Sequence, residues 1–383
     1  MAMEKQMSRQ KVQPFPFHEI AGTPRERGRS YGEQARERVA RSIAHYNEQA
    51  GRWNLGREEM DRIIHSYVPV ARKFDENYVV EMEGIAEGAG ARFEDIFLLN
   101  ARTEVMKLAF KPELRARLLS GESADGCTAV TVMPDAAEGG RLIHAQDWDW
   151  KVECSETGVV LRILREDGPD ILTFTEAGML GRSGFNSAGI SITGNNLESD
   201  RDYRQIGVPL PLIRRKALES PYLAHALHAV YATPKTGSNN MAVCHQDGVA
   251  INFECAPDET FQVLPQEGLL VHANHWLSPV ALAKLRDTGI AFSPCTLYRE
   301  QRVRELLLPQ RGRITVDAVK QALLDAFQSP WSVCRPPRQD FGRDTRSATV
   351  STVVMQPELG IMEVANLPAV DPTFTTYRLP RRG

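Results

Sequence analysis

Asp125-Gly126-Cys127-Thr128-Ala129-Val130-Thr131-Val132-Met133 is the stretch on which the fold turns. It sets a cysteine directly after a glycine and opens an alternating apolar run, the pattern of a strand. A chain cut between Gly126 and Cys127 would leave one residue holding both a thiol and a free α-amine. The thiol is a nucleophile, and an unperturbed α-amine, with a pKa of about 7.7–8.0, is a base near neutrality. Taken alone, the stretch fits better a buried, inert cysteine at the start of a strand, since cysteine is commonly buried.

Upstream of it the chain reads as helical. Thr23-Pro24-Arg25-Glu26 gives an N-cap, a proline at the first helical position and an acid in the first turn. Ile63, Ile64, Tyr67 and Val68 recur at helical spacing, and Gly84, Gly88 and Gly90 read as the frayed end of that helical region and a turn. Residues 111–123 form a charged, small-residue tract expected as a surface loop. Downstream, short alternating runs at 128–133, 142–146, 158–164, 171–175 and 189–193 are separated by Gly-rich turns, as in antiparallel sheets. Residues 209–232, 298–308 and 316–327 read as helical, and 349–354 with 361–364 as a closing hairpin. Helices, strands, helices and strands again suggest a layered α+β body. Position 126 is expected to be a processing boundary, since neither side buries its apolar face alone.

Composition sets the bounds. The chain has 383 residues, 42% hydrophobic and 25% charged, with a formal net charge of −3. That is ordinary for a globular protein and argues against nucleic acid or an anionic membrane as partner. The six cysteines form no CxxC pair, so no zinc ribbon or thioredoxin-type motif is expected. Met1 to Gln13 lacks the apolar core of a secretory signal, and no segment reaches the length of a membrane span. The expectation is a cytoplasmic protein with reduced thiols.

Three further segments carry chemistry. In Gln146-Asp147-Trp148-Asp149-Trp150 a period of two puts both acids on one face and both indoles on the other. Such a pair can orient an amine and line a pocket, or simply be a solvated strand end. In His272-Ala273-Asn274-His275-Trp276, Asn274 is placed to donate to a developing oxyanion, or to satisfy nearby backbone. Arg346, just before a strand, suits a carboxylate or an acidic pair, though surface arginines are common. His225 and His228 lie three apart on an expected helix, a weak metal pair without a third ligand.

In order along the chain, Gly22-Thr23-Pro24, Gly28, Tyr31-Gly32, Gly84-Ile85-Ala86, Asn100-Ala101-Arg102-Thr103-Glu104 and Asp125-Gly126-Cys127-Thr128 are followed by Gln146-Asp147-Trp148-Asp149. Then come Thr175-Glu176-Ala177-Gly178, Gly184-Phe185-Asn186-Ser187-Ala188-Gly189, His272-Ala273-Asn274-His275, Ser332-Val333-Cys334-Arg335 and Arg346-Ser347-Ala348-Thr349. The ordered set, from about Gly22 to Tyr377, resembles the acyl-coenzyme A:6-aminopenicillanic acid acyltransferase family, the C45 group of self-processing N-terminal-nucleophile enzymes. The resemblance implies a four-layer αββα sandwich with two antiparallel sheets between helical layers. It implies self-cleavage at Gly126–Cys127 into a mostly helical fragment, 1–126, and a second, 127–383, that stay together as a heterodimer. It assigns Cys127 as nucleophile, Asp149 to the amine side of the site, Asn274 to the oxyanion hole and Arg346 to its support.

Asp147, Trp148, Cys255 and His272 are the substrate-pocket candidates. The family often has asparagine where Asp147 stands, so an additional negative charge is expected near the nucleophile, raising the pKa of its amine. Cys255 replaces a pocket serine, and Ala129 a threonine, of the fungal penicillin-forming enzyme, so penicillin does not carry over as substrate. The expected reaction is hydrolysis of a linear amide, an N-acyl amine or N-acyl amino acid, through S-acyl-Cys127, with no cofactor and no metal. Alternatives are acyl-CoA-dependent acyl transfer at the same site, a metal-dependent hydrolase built on His272, His275, Asp147 or Asp149, and a self-cleaving but silent interaction protein.

Overall fold

The structure is a computed structural model that describes residues 11–108, 126–339 and 346–380. The tract at 111–123, Asp125 and residues 343–345 lie outside the described residues.

The chain opens with a short strand, β1 (Phe17–Ile20), that sequence periodicity did not reveal, and then six helices: α1 (Pro24–Gln34), α2 (Arg36–Arg52), α3 (Arg57–Phe74), α4 (Glu76–Ala89), α5 (Phe93–Asn100) and α6 (Arg102–Leu108). Helix α1 starts as its sequence dictates, with Pro24 in the first turn and the Glu26 carboxylate accepting from the Thr23 N–H at 2.9 Å. Gly84 and Gly88 correct the reading of a frayed end, because both lie inside α4 and only Gly90, at φ 68°, caps it. Their role is contact. A Cβ on Gly84 would stand 2.3 Å from Arg25 O, and one on Gly28 would stand 2.0 Å from Glu81 O. Helices α1 and α4 thus touch backbone to backbone, which only glycine permits. Buried Glu81 locks the pair, accepting from Arg27 of α1 and from Arg215.

Two sheets follow. The first contains β1, β4 (Gly158–Ile163), β5 (Ile171–Glu176), β6 (Ser183–Asn186), β7 (Ile190–Thr193), β8 (Asn239–His245), β9 (Val249–Cys255) and β10 (Thr260–Val263), in that spatial order, antiparallel except for the parallel β1–β4 pair. The second runs β11 (Leu269–His272), β2 (Gly126–Val132), β3 (Ile143–Lys151), β13 (Arg346–Gln356), β14 (Ile361–Asn366) and β15 (Phe374–Arg378), with β12 (Arg338–Gln339) added to β13. The first sheet's outer face packs on α1–α6 and on α7 (Leu210–Leu218) and α8 (Leu223–Tyr231). The short helix α9 (Pro279–Leu282) precedes α10 (Thr296–Leu307) and α11 (Val316–Leu323), and these last two cover the second sheet's outer face. Between the sheets lies a third core in which Phe174, Phe185 and Val160 meet Trp148, Val353 and Met362. The result is the expected αββα stack.

The inter-sheet layer is not uniformly apolar. His144 of β3 reaches Ser191 Oγ (2.9 Å) and Thr193 Oγ1 (2.8 Å), and Gln146 donates to Gly194 O and Asn195 Oδ1 while accepting from Ser183 Oγ. These bonds tie β3 to the end of β7 and bring Asn195 close to Cys127. Asn100, at the end of α5, donates to Gly178 O and accepts from the Leu180 N–H, fixing the turn that leads to Arg182.

Candidate active site

Cys127 is the second residue of β2, an interior strand, paired with Trp148 of β3, and is 5% exposed. Alternation sends its thiol between the sheets beside Trp148, and the acids Asp147 and Asp149 to the opposite, α10-covered face. Each carboxylate accepts from a threonine of β13: Asp149 Oδ1 from Thr349 Oγ1 at 2.6 Å, and Asp147 Oδ1 from Thr352 Oγ1. Thr349 and Thr352 are three apart, yet both face the acids, because the register slips by one between Thr349 and Ser351. This bulge is what aims the β13 hydroxyls at the pair.

The backbone of Cys127 is held from both sides. Its N–H donates to Asn274 Oδ1 at 2.8 Å, and its carbonyl accepts from Arg299 Nη1 at 2.8 Å. Arg299, from α10, also donates to Asn274 Oδ1 and to Thr128 Oγ1. Two donors on one Asn274 oxygen fix the amide's orientation, and its Nδ2 is taken up by Asn196 O at 2.9 Å. Asn274 is therefore an acceptor for the Cys127 amide rather than a free oxyanion donor. Arg335 completes the outer face, with Nε 3.3 Å from Asp149 Oδ2 and Nη2 3.0 Å from Cys295 Sγ. Burial works against a Cys295 thiolate, but the Arg335 and Arg299 charges outweigh it and lower the thiol's pKa.

Gly126 lies opposite Asp149 with no room for a side chain: a Cβ would stand 2.5 Å from Asp149 Oδ2 and 2.6 Å from Arg335 Nη1. Asp147 departs from expectation. Burial, and then the neighbouring Asp149, push its carboxyl well above the usual range, so the extra negative charge expected there is resisted.

The thiol faces a cavity of about 50 Å³, walled by Leu99, Asn100, Arg102, Thr103 and Glu104 from the N-terminal helices, by Cys127 and Trp148, and by Met179, Arg182, Asn195, Asn196 and Arg214. Both sides of position 126 thus build it. Arg182 places Nη2 3.6 Å from Cys127 Sγ and stacks on the Trp148 ring at 4.2 Å, putting positive charge beside the sulfur.

Of the pocket candidates, only Trp148 lines this cavity. Asp147 is excluded by strand alternation. Cys255 ends β9 with its side chain in the core beneath the helices. His272 is committed to Glu254, Nε2 to Oε1 at 2.8 Å, in a network that also receives the Leu277 and Ser278 N–H groups. Arg346 is exposed at the start of β13, opposite Gln339, and is not brought to the site. Of the buried arginines that are, Arg182, Arg214 and Arg299 were not singled out from sequence, and Arg335 stood in the Ser332-Val333-Cys334-Arg335 motif without a role. The usable signal was arginine inside apolar helices, as in Leu212-Ile213-Arg214-Arg215. His225 and His228 line a separate cleft of about 940 Å³ between α3 and α7–α8. That cleft is far larger but has no cysteine on its wall. Among the described residues no cluster suited to a metal ion occurs, and no helix is long and apolar enough to cross a membrane.

Two mostly antiparallel sheets enclosed by helical layers define an αββα sandwich. Residues 136–365 match the model of the acyl-coenzyme A:6-aminopenicillanic acid acyl-transferase family, and the chain belongs to that family. It is 28% identical over 330 residues to the 40 kDa form of acyl-coenzyme A:6-aminopenicillanic-acid-acyltransferase of Emericella nidulans, covering 84% of this chain and 85% of that protein. Among solved structures it is similar to a conjugated bile acid hydrolase from Clostridium perfringens (TM-score 0.45, 10% identity, 67% of this chain and 93% of that one). A penicillin V acylase from Agrobacterium tumefaciens is similar too (TM-score 0.42, 13% identity, 65% and 84%).

Proposed function

We propose that the chain cuts itself between Gly126 and Cys127, and that Cys127, as a new N-terminus, cleaves a linear amide through an S-acyl intermediate. The observation that carries this reading is the hold on Cys127: amide on Asn274, carbonyl on Arg299, thiol at a cavity with Arg182 beside it.

In the first step the Cys127 sulfur adds to the Gly126 carbonyl carbon and gives up its proton. The C–N bond breaks, the nitrogen takes a proton, and a thioester links Gly126 to the sulfur. Water then opens the thioester, releasing the Gly126 carboxylate and the thiol. The freed amine keeps Asn274 Oδ1 as hydrogen-bond acceptor and has Asp149 across the strand pair, so it is oriented and can take the thiol proton directly or through water. The role expected of Arg346 falls more naturally to Arg299, which touches both Cys127 O and Asn274. In turnover the amide's acyl group moves to sulfur, the amine leaves with a proton, and water completes hydrolysis. Acyl transfer to a second amine is the other reading, favoured by the name of the Emericella nidulans relative.

Intact-mass analysis of wild type and Cys127→Ala tests the scission: two fragments are expected from the first and one chain from the second. An acyl adduct on Cys127 from an acyl-thioester library tests the chemistry. Added amines then separate hydrolysis from transfer. Turnover by Cys127→Ala would falsify the reading.

A further inference from the structure

Arg214, on the first turns of α7, is a charged side chain that makes no hydrogen bond or ion pair among the described residues, the Glu104 charge acting on it only at longer range. It is 6% exposed, and no hydrogen bond or ion pair from those residues reaches its guanidinium. Leaving such a group buried is costly, and a fold retains one only where something else supplies the counter-charge. Its Nε is fully enclosed and unsatisfied, and Arg214 lines the cavity that holds Cys127.

The surroundings fit the same reading. A Cβ on Gly194 would stand 2.7 Å from Arg214 Nη2, so the missing side chain there is what lets the guanidinium lie against the strand end. Arg182 faces the same cavity, held over Trp148, and Arg102 is near. Among the described residues Glu104 is the one carboxylate on the cavity wall. It accepts from the Leu210 N–H at 3.0 Å and makes no ion pair with Arg214. Burial, and then the Arg182 charge, bring Arg214 down to about 9 from 12.5, which still leaves it cationic at neutral pH.

We infer that Arg214, with Arg182 beside it, is a carboxylate-binding subsite next to Cys127, and that the substrate is an anionic amide of the N-acyl amino acid class rather than a neutral N-acyl amine. The inference rests on the proposed role of Cys127 and sharpens it. The planar fork of arginine matches a carboxylate bidentately, and the Arg182 charge on the same cavity adds to the pull on an anion.

The test uses two alkylating reagents of nearly equal shape and opposite demand, iodoacetate and iodoacetamide. Ordinary thiols react faster with the neutral amide. Rates at Cys127 are read by peptide mapping, which separates it from Cys295 and the other four cysteines. In the wild type, iodoacetate is expected to be faster at Cys127 by about tenfold, with saturation, as local anion enrichment in a cationic cleft requires. Arg214→Met should bring the ratio below one, and Arg214→Lys should fall between. Faster labelling by iodoacetamide in the wild type overturns the subsite, as does an unchanged ratio in a folded Arg214→Met, or no labelling of Cys127 by either reagent. The wild-type ratio needs no variant to fold. It is also independent of whether Cys127→Ala still turns over amide, the result that would sink the proposed function instead.

Discussion

At Gly126 a single methyl group has large consequences. An alanine there would force its Cβ against Asp149 Oδ2 and Arg335 Nη1, both buried and neither at the end of a free-swinging chain. Gly126→Ala should therefore cost about 1–3 kcal/mol, the usual range for overpacking, and displace the carbonyl that the sulfur must reach. The expected result is an intact chain, or fragments that accumulate far more slowly, by time-resolved intact mass. Arg299 offers a second case, since one side chain supports Cys127 O, Thr128 Oγ1 and Asn274 Oδ1. Arg299→Met should lower both scission and turnover by about 10²–10³, comparable to losing an oxyanion-hole donor. A variant that cuts itself at the wild-type rate would remove Arg299 from the account.

Two elements depend on local departures from regular structure. Gly84 sits in the middle of α4, where helix propensity alone predicts that Gly84→Ala stabilises by roughly 1 kcal/mol. The 2.3 Å that would separate the new Cβ from Arg25 O predicts the opposite sign, because backbone cannot move aside. A fall in Tm is expected, and a rise would mean α1 and α4 are not in backbone contact. The β13 bulge is the second element. Thr349 lies directly opposite Asp149, and the register shift beyond it brings Thr352 opposite Asp147, so both hydroxyls reach the acids. Thr349→Val should cost about 1–2 kcal/mol by leaving a buried carboxylate oxygen without its donor, and should slow scission, whereas Thr349→Ser should restore both.

At the scale of the whole molecule, titratable side chains buried on either face of the second sheet couple stability to pH. Burial brings His144 down to about 3 from 6.5, so the unfolded chain takes up a proton that the native one refuses between those values. Its contribution is full above pH 6.5 and is lost as pH falls toward 3. By linkage about 3 kcal/mol of it is lost by pH 4. His144→Gln should flatten the acid limb of a urea-midpoint profile. Asp147 has the other sign. Its raised carboxyl favours the native state below 3.8 and loses that advantage as pH rises. Asp147→Asn should therefore gain on wild type from pH 4 upward in the same measurement, and a parallel pair of profiles would contradict the burial of that acid.

Much was legible in the order of residues alone. The strand at 126–133, the helical first third and the closing hairpin of β13 and β14 follow from alternation and helical spacing, because these periods are written in neighbouring residues. So was the opposition of Asp147 and Asp149 to Trp148, a consequence of strand pleating alone. Which side of the sheet faces the nucleophile's cavity was not, and that put Asp147 behind the sheet and left Trp148 as the pocket residue. Nor could sequence choose Arg299 over Arg346, or find Arg182 and Arg214, since an arginine's role depends on what it meets across 55 to 172 residues of chain. Local pattern sets the direction of each side chain relative to its own strand or helix. The packing of one element on another decides which of those directions converge on Cys127.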